Sequence, residues 1–138
     1  MPAIIGLAEA MERFVKKPVF EAENLHPLTE LLANSASAID GVQIRSPKER
    51  LANTISFTVD GCDSIALMAG LDLEGVCASS GSACSAGSLE PSHVLVAMGA
   101  PRHLANSFVR FSLGRESTLE EVQYVENVLP GVISRIRA

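Results

Sequence analysis

The stretch Asn53-Thr-Ile-Ser-Phe-Thr-Val59 decides the fold class. It is rich in β-branched residues, and Ile55, Phe57 and Val59 fall on one side of a chain whose side chains alternate. The pattern predicts a strand with one buried face, ended by Asp60-Gly61. A second alternating run, Ser107-Phe-Val-Arg-Phe-Ser-Leu113, closes at Gly114 and supplies a further strand. Val42 and Ile44 alternate within Gly41–Arg45 and predict a short one, while Val76–Ala78 has room for only a brief one. Between the first two strands, Ser46-Pro-Lys-Glu-Arg50 reads as a charged turn.

Around these strands the apolar spacing changes to the helical period. Ile4, Leu7, Ala8, Met11 and Phe14/Val15 lay a stripe along a helix expected from Ala3 to Lys17, where Pro18 forbids continuation. A second helix is expected after Asn24 as N-cap, with Pro27 tolerated only in the first turn. Leu25, Leu28, Leu32, Ala36 and Ile39 would be its buried face, and Asp40-Gly41 its stop. Asp63 is placed to cap a third helix ending near Leu73, with Gly75 at C′ and Gly70 inside at a cost of ~1 kcal/mol relative to Ala. Glu90-Pro91-Ser92 opens a helix carrying Val94, Leu95, Ala97 and Met98. Thr118 with Glu121 forms a capping box for a last helix reaching about Arg137, which Pro130 is expected to kink or interrupt. The order ααββαβαβα predicts one α+β domain over residues 1–138, with a small, mainly antiparallel sheet covered by helices.

Composition narrows function before any motif does. The chain has 138 residues, 47% hydrophobic and 20% charged, and a net charge of −5. That balance excludes a disordered chain and disfavours a nucleic-acid binder, which needs a basic face. Aromatics are 4% with no Trp, too few for a base-stacking platform. No segment approaches the ~20 apolar residues of a membrane span, and the acidic, apolar start has no signal-peptide pattern. Three cysteines, Cys62, Cys77 and Cys84, form no CxxC pair and fit no zinc template. An odd, unpatterned set implies reduced thiols and a cytoplasmic protein.

Two residues stand out. Cys84 lies in Ser79-Ser-Gly-Ser-Ala-Cys-Ser-Ala-Gly-Ser88, a stretch with nothing to anchor a core. A thiol on such a loop suits a travelling nucleophile, and equally a flexible linker that contains a cysteine; composition leaves both open. Cys62 and Cys77 sit beside apolar neighbours and read as small buried hydrophobes. Arg110, a charge between Val109 and Phe111, is either an edge-strand arginine in water or a fork for a carboxylate. His93 and His103 read as surface histidines, and Glu116, Glu120 and Glu121 as a solvated helix start.

Ser79-Ser-Gly-Ser-Ala-Cys84, Ser88-Leu-Glu-Pro-Ser-His-Val-Leu95 and Arg110-Phe-Ser-Leu-Gly114 together resemble the C-terminal part of cysteine desulfurases. These are pyridoxal-phosphate enzymes of fold type I in the class V aminotransferase superfamily. The long serine-rich loop is similar to that of the group I branch, which supplies sulfur for iron–sulfur cluster assembly. The likeness continues through Leu51-Ala-Asn-Thr-Ile-Ser-Phe57, Leu71-Asp-Leu-Glu-Gly75 and Ile4 to Met11, and so covers essentially the whole chain.

The resemblance implies that Cys84 is the thiolate that takes sulfur from L-cysteine as a persulfide, leaving alanine. It implies that Arg110 grips the substrate's α-carboxylate. A sulfur acceptor such as an iron–sulfur scaffold protein and a homodimeric parent follow in the same way, with neither nucleic acid nor membrane as partner. The chain lacks the family's large domain and its Schiff-base lysine, since Lys16, Lys17 and Lys48 sit in other contexts. Pyridoxal phosphate is therefore expected in a full-length parent and not in this chain alone, and no metal is expected. Two other readings remain: a stand-alone sulfur-relay or partner-binding domain, and a β-lyase or aminotransferase small domain, against which the cysteine loop argues.

Overall fold

A computed structural model describes residues 1–15, 21–81 and 92–138. The strand patterns pair as a three-stranded antiparallel sheet in the order β1 (Val42–Ile44), β2 (Thr54–Val59), β3 (Phe108–Ser112). Ile44 stands opposite Phe57, Ile55 opposite Phe111, and Ser56 opposite Arg110. This register puts Ile55, Phe57, Val59, Val109 and Phe111 on one face, each no more than 3% exposed. The Phe57 and Phe111 rings tilt against each other with centroids 5.9 Å apart.

Three helices cover that face: α2 (Ala22–Ser37), α3 (Ser64–Leu73) and α6 (Leu119–Arg137). Leu32 and Ala36, Leu67 and Leu71, and Leu129, Val132 and Ile133 are their buried contributions to one continuous core. Burial of each large side chain contributes roughly 1.5–3 kcal/mol. The local signals for these helices hold. Asp63 Oδ1 accepts from Ile65 N–H at 2.8 Å, and the Thr118–Glu121 capping box is complete in both directions. Gly75, at φ +72°, closes α3 with bonds from Gly75 N to Asp72 O and Val76 N to Leu71 O.

Several expectations need correction. The second helix starts at Ala22, so Asn24 is not its cap and Pro27 lies inside it. Only exposed residues precede Leu25, and water can satisfy the carbonyl that Pro27 leaves free. Pro130 does not interrupt α6, because it faces solvent while Leu129, Val132 and Ile133 pack inward around it. Val76–Ala78 forms no strand; only Ser79 bridges to the sheet. Cys77 is consequently exposed rather than packed, while Cys62 is half-buried against the core as expected. The first helix, α1 (Pro2–Phe14), has its apolar stripe but buries none of it. The end expected at Lys17 lies outside the described residues.

The sheet's other face is polar and only partly covered. Thr54, Ser56, Arg110 and Ser112 alternate with the core residues, and Phe108 joins them at one end. Two short helices, α4 (His93–Ala97) and α5 (Arg102–Ala105), roof that end by packing Leu95, Ala100 and Ala105 on Phe108. The second of these was not foreseen.

Candidate functional site

The half-roofed face leaves a groove of ≈ 300 Å³ lined in part by Arg110. Arg110 is held through its own backbone N–H and C=O on the free edge of β3. Its cross-strand partner in β2 is Ser56, and on the free edge it exchanges two main-chain bonds with Ser79. Arg110 N donates to Ser79 O at 2.7 Å, and Ser79 N donates to Arg110 O at 3.0 Å. The side chain follows, with Nη2 donating to Ser79 Oγ at 3.3 Å and Ser79 Oγ donating to Gly81 O at 3.1 Å. Arg110 Nε is closed off from solvent and finds no acceptor among the described residues. Arg110 is thus a half-buried guanidinium with donor capacity to spare, rather than an arginine extended into water.

Gly81 and Ser92 both line the groove. They are the described residues that flank the segment carrying Cys84, which itself lies outside the described residues. The stretch begins less freely than composition suggests, because Ser79 is pinned to β3. A smaller cavity of ≈ 210 Å³, which Arg110 also lines, is bordered by Cys77, Ala78, Ser79 and Ser112. A larger one of ≈ 530 Å³ lies between β3 and the start of α6, against Phe111, Val122 and Tyr124.

His93 and His103 are exposed on the short helices and line none of these cavities, in keeping with surface roles. Cys62 lies beside Arg137 at the far end of β2. Burial pushes its thiol above the usual value, Arg137 draws it back, and Asp60 adds to the rise. A raised thiol is a poor nucleophile at neutral pH. The charged turn conceals the residue that composition missed: Arg50 packs nine-tenths buried into the wall of the groove.

Pyridoxal phosphate needs a Schiff-base lysine and a partner for its ring nitrogen. Among the described residues the one lysine is Lys48, exposed in the turn and absent from the groove, and no Asp or Glu lines the groove. The described residues do not fit that cofactor. Nor do they include a cluster of His, Cys, Asp or Glu able to hold a metal, or a helix long and apolar enough to cross a membrane.

Known proteins share both sequence and architecture. A cysteine desulfurase IscS from Clostridium botulinum is 38% identical over 97% of this chain and 35% of its own length. A cysteine desulfurase 2 from Trichormus variabilis is 42% identical over 100% of this chain and 35% of its own. The solved structure of a NifS-like protein superposes with a TM-score of 0.79 at 29% identity, covering 97% of this chain and 34% of that one. The chain therefore spans about a third of the length of the curated relatives it matches. The model of the aminotransferase class-V family matches residues 1–125, which takes in the sheet, the arginine-lined groove and Cys84. The chain belongs to the class-V aminotransferase family.

Proposed function

We propose that residues 1–138 are the small domain of a cysteine desulfurase whose longer parent converts L-cysteine to L-alanine. In this reading Arg110 binds the substrate α-carboxylate and Cys84 accepts its sulfur as a persulfide. The observation that carries it is the shared groove, which Arg110, Gly81 and Ser92 all line. Cys84 follows Gly81 by three residues, a length of chain that reaches at most ~11 Å. A thiol tethered so near a carboxylate fork can meet the sulfur of an amino acid held there and carry it to an outside acceptor. That acceptor, an iron–sulfur scaffold protein among the possibilities, would work with a homodimeric, cytoplasmic parent.

The parent supplies pyridoxal phosphate and its lysine from outside the described residues. The Arg110 fork, closed to water at Nε, contributes orientation of the substrate. The test is sulfide release from L-cysteine by the parent under reducing conditions. Cys84→Ser removes the only thiol on the serine-rich loop and is expected to abolish release, because a hydroxyl cannot hold a persulfide. Undiminished release would overturn the assignment. Sulfur transfer by the 138-residue chain alone, from a persulfide donor and without cofactor, would instead favour a stand-alone relay.

A further inference from the structure

The groove at Arg110 carries more positive charge than one carboxylate uses. Arg45 and Arg50 line it too, and no acidic side chain among the described residues does, in a chain whose net charge is −5. Arg45 is already committed: its Nε donates to Thr58 Oγ1 at 3.0 Å and its Nη2 to Gln43 Oε1 at 2.8 Å. Arg50 is not. Its Nη2 meets Glu30 Oε1 at 2.6 Å, but its Nε, like that of Arg110, is shut from solvent with no acceptor among the described residues. Its side chain is 10% exposed, whereas that of Glu30 is 44% exposed and shares its charge with water.

Native folds seldom leave a buried donor unpaired, and two guanidinium groups bordering one groove do so here. Each guanidinium also keeps Nη N–H donors beyond the Nη2 contacts to Glu30 and Ser79. Leu51, Leu95, Met98 and Phe108 form apolar walls around them, and charge-assisted bonds strengthen in such surroundings. We propose that Arg50 forms a second anion subsite in this groove, which takes a small dicarboxylate with one acid group at Arg110 and the other at Arg50. The volume of ≈ 300 Å³ suits a molecule of that size. The proposal rests on Arg110 as a carboxylate fork and adds a substrate or inhibitor class to it.

The test follows the arginine Nε–H resonances of the 138-residue chain during titration with succinate, acetate or sulfate. Succinate is expected to shift Arg50 and Arg110 together, with one dissociation constant roughly 10-fold tighter than that of acetate. Arg50→Gln should bring succinate down to the acetate level while leaving acetate at Arg110 unchanged. Should Arg50→Gln fail to fold, Glu30→Gln keeps the guanidinium and removes its competitor, and succinate should then bind several-fold tighter. If acetate shifts Arg110 but succinate binds no better, or leaves Arg50 unmoved, the second subsite is refuted and the fork stands. If acetate leaves Arg110 unmoved, the fork itself is refuted. Sulfate shifting Arg50 alone, with no gain for succinate, would show a separate anion site and overturn the diacid.

Discussion

Gly70 of α3 and Val132 of α6 approach so closely that a Cβ on the glycine would stand 2.8 Å from Val132 Cγ1. Val132 is fully buried in the main core, so it has little room to swing away. A glycine that looks like a defect in its own helix is what lets the two helices meet. Gly70→Ala gains ~1 kcal/mol of helix propensity and sets against it an overpacking cost of roughly 1–3 kcal/mol. Net destabilisation of about 1 kcal/mol is expected in urea titration. In Val132→Ala, where the methyl is gone, the same Gly70→Ala change should become neutral or stabilising. A stabilising Gly70→Ala in the parent sequence would refute the contact.

Arg110 and Cys84 should fail differently in the longer enzyme. Arg110→Ala removes a charge-assisted fork worth ~1.5–3 kcal/mol, so cysteine binding should weaken on the order of 10- to 100-fold. Residual turnover should persist at saturating cysteine, because the thiol is intact. Cys84→Ser should bind cysteine normally and turn nothing over. Steady-state sulfide release with a parallel binding titration separates the two. Equal cysteine affinity in Arg110→Ala and wild type would return Arg110 to a structural role.

The 138-residue chain by itself is expected to bind no pyridoxal phosphate. Its three lysines are Lys16, Lys17 and Lys48, and Lys48 stands exposed away from the groove. Purified chain mixed with the cofactor and gel-filtered should emerge colourless. A retained yellow band, with borohydride fixing the label to one of these lysines, would sink this.

The cysteines give a cheaper check on the placement of side chains. Cys77 is exposed and Cys62 half-buried with a raised thiol, so iodoacetamide at mildly alkaline pH should label Cys77 before Cys62. The labelling rate of Cys62 against pH should have its midpoint above the usual thiol value of about 8.5. Asp60→Asn should lower that midpoint and Arg137→Met should raise it, since Asp60 lifts the thiol and Arg137 draws it down. Peptide mapping by mass spectrometry distinguishes the sites. Faster labelling of Cys62 would contradict the burial seen here.

What could be read from the sequence divides by the range of the interaction. Asp63, Gly75 and the Thr118–Glu121 pair act on backbone groups a few residues away, so their helix ends were legible. Strand faces followed from alternation, and with them the half-polar sheet that holds Arg110. Pro27 and Pro130 misled because packing across the core outweighs a missing bond at a solvent-facing position. Arg50 read as part of a charged turn because its burial depends on Glu30, twenty residues earlier on another element. Helix α5 is only four residues after a Gly-Ala-Pro turn, too short to show a period. The exposure of Cys77 follows from Val76 turning inward after Gly75, a detail of one backbone reversal.

The two flanks of the cysteine segment are tied to one strand by unlike means. Ser79 is held to Arg110 by main-chain bonds indifferent to side-chain identity, and Ser92 leads into α4, whose Leu95 packs on Phe108 two residues before Arg110. Both attachments stand outside the interval they enclose. The interval is therefore an exchangeable cassette: its length and composition can change without re-registering β3 or moving the arginine. Doubling the length of a loop costs only about 0.6 kcal/mol of closure entropy. On the proposed reading of Cys84, one scaffold could in this way serve acceptors of different reach, with the reach set by the interval between Gly81 and Ser92 rather than by the sheet.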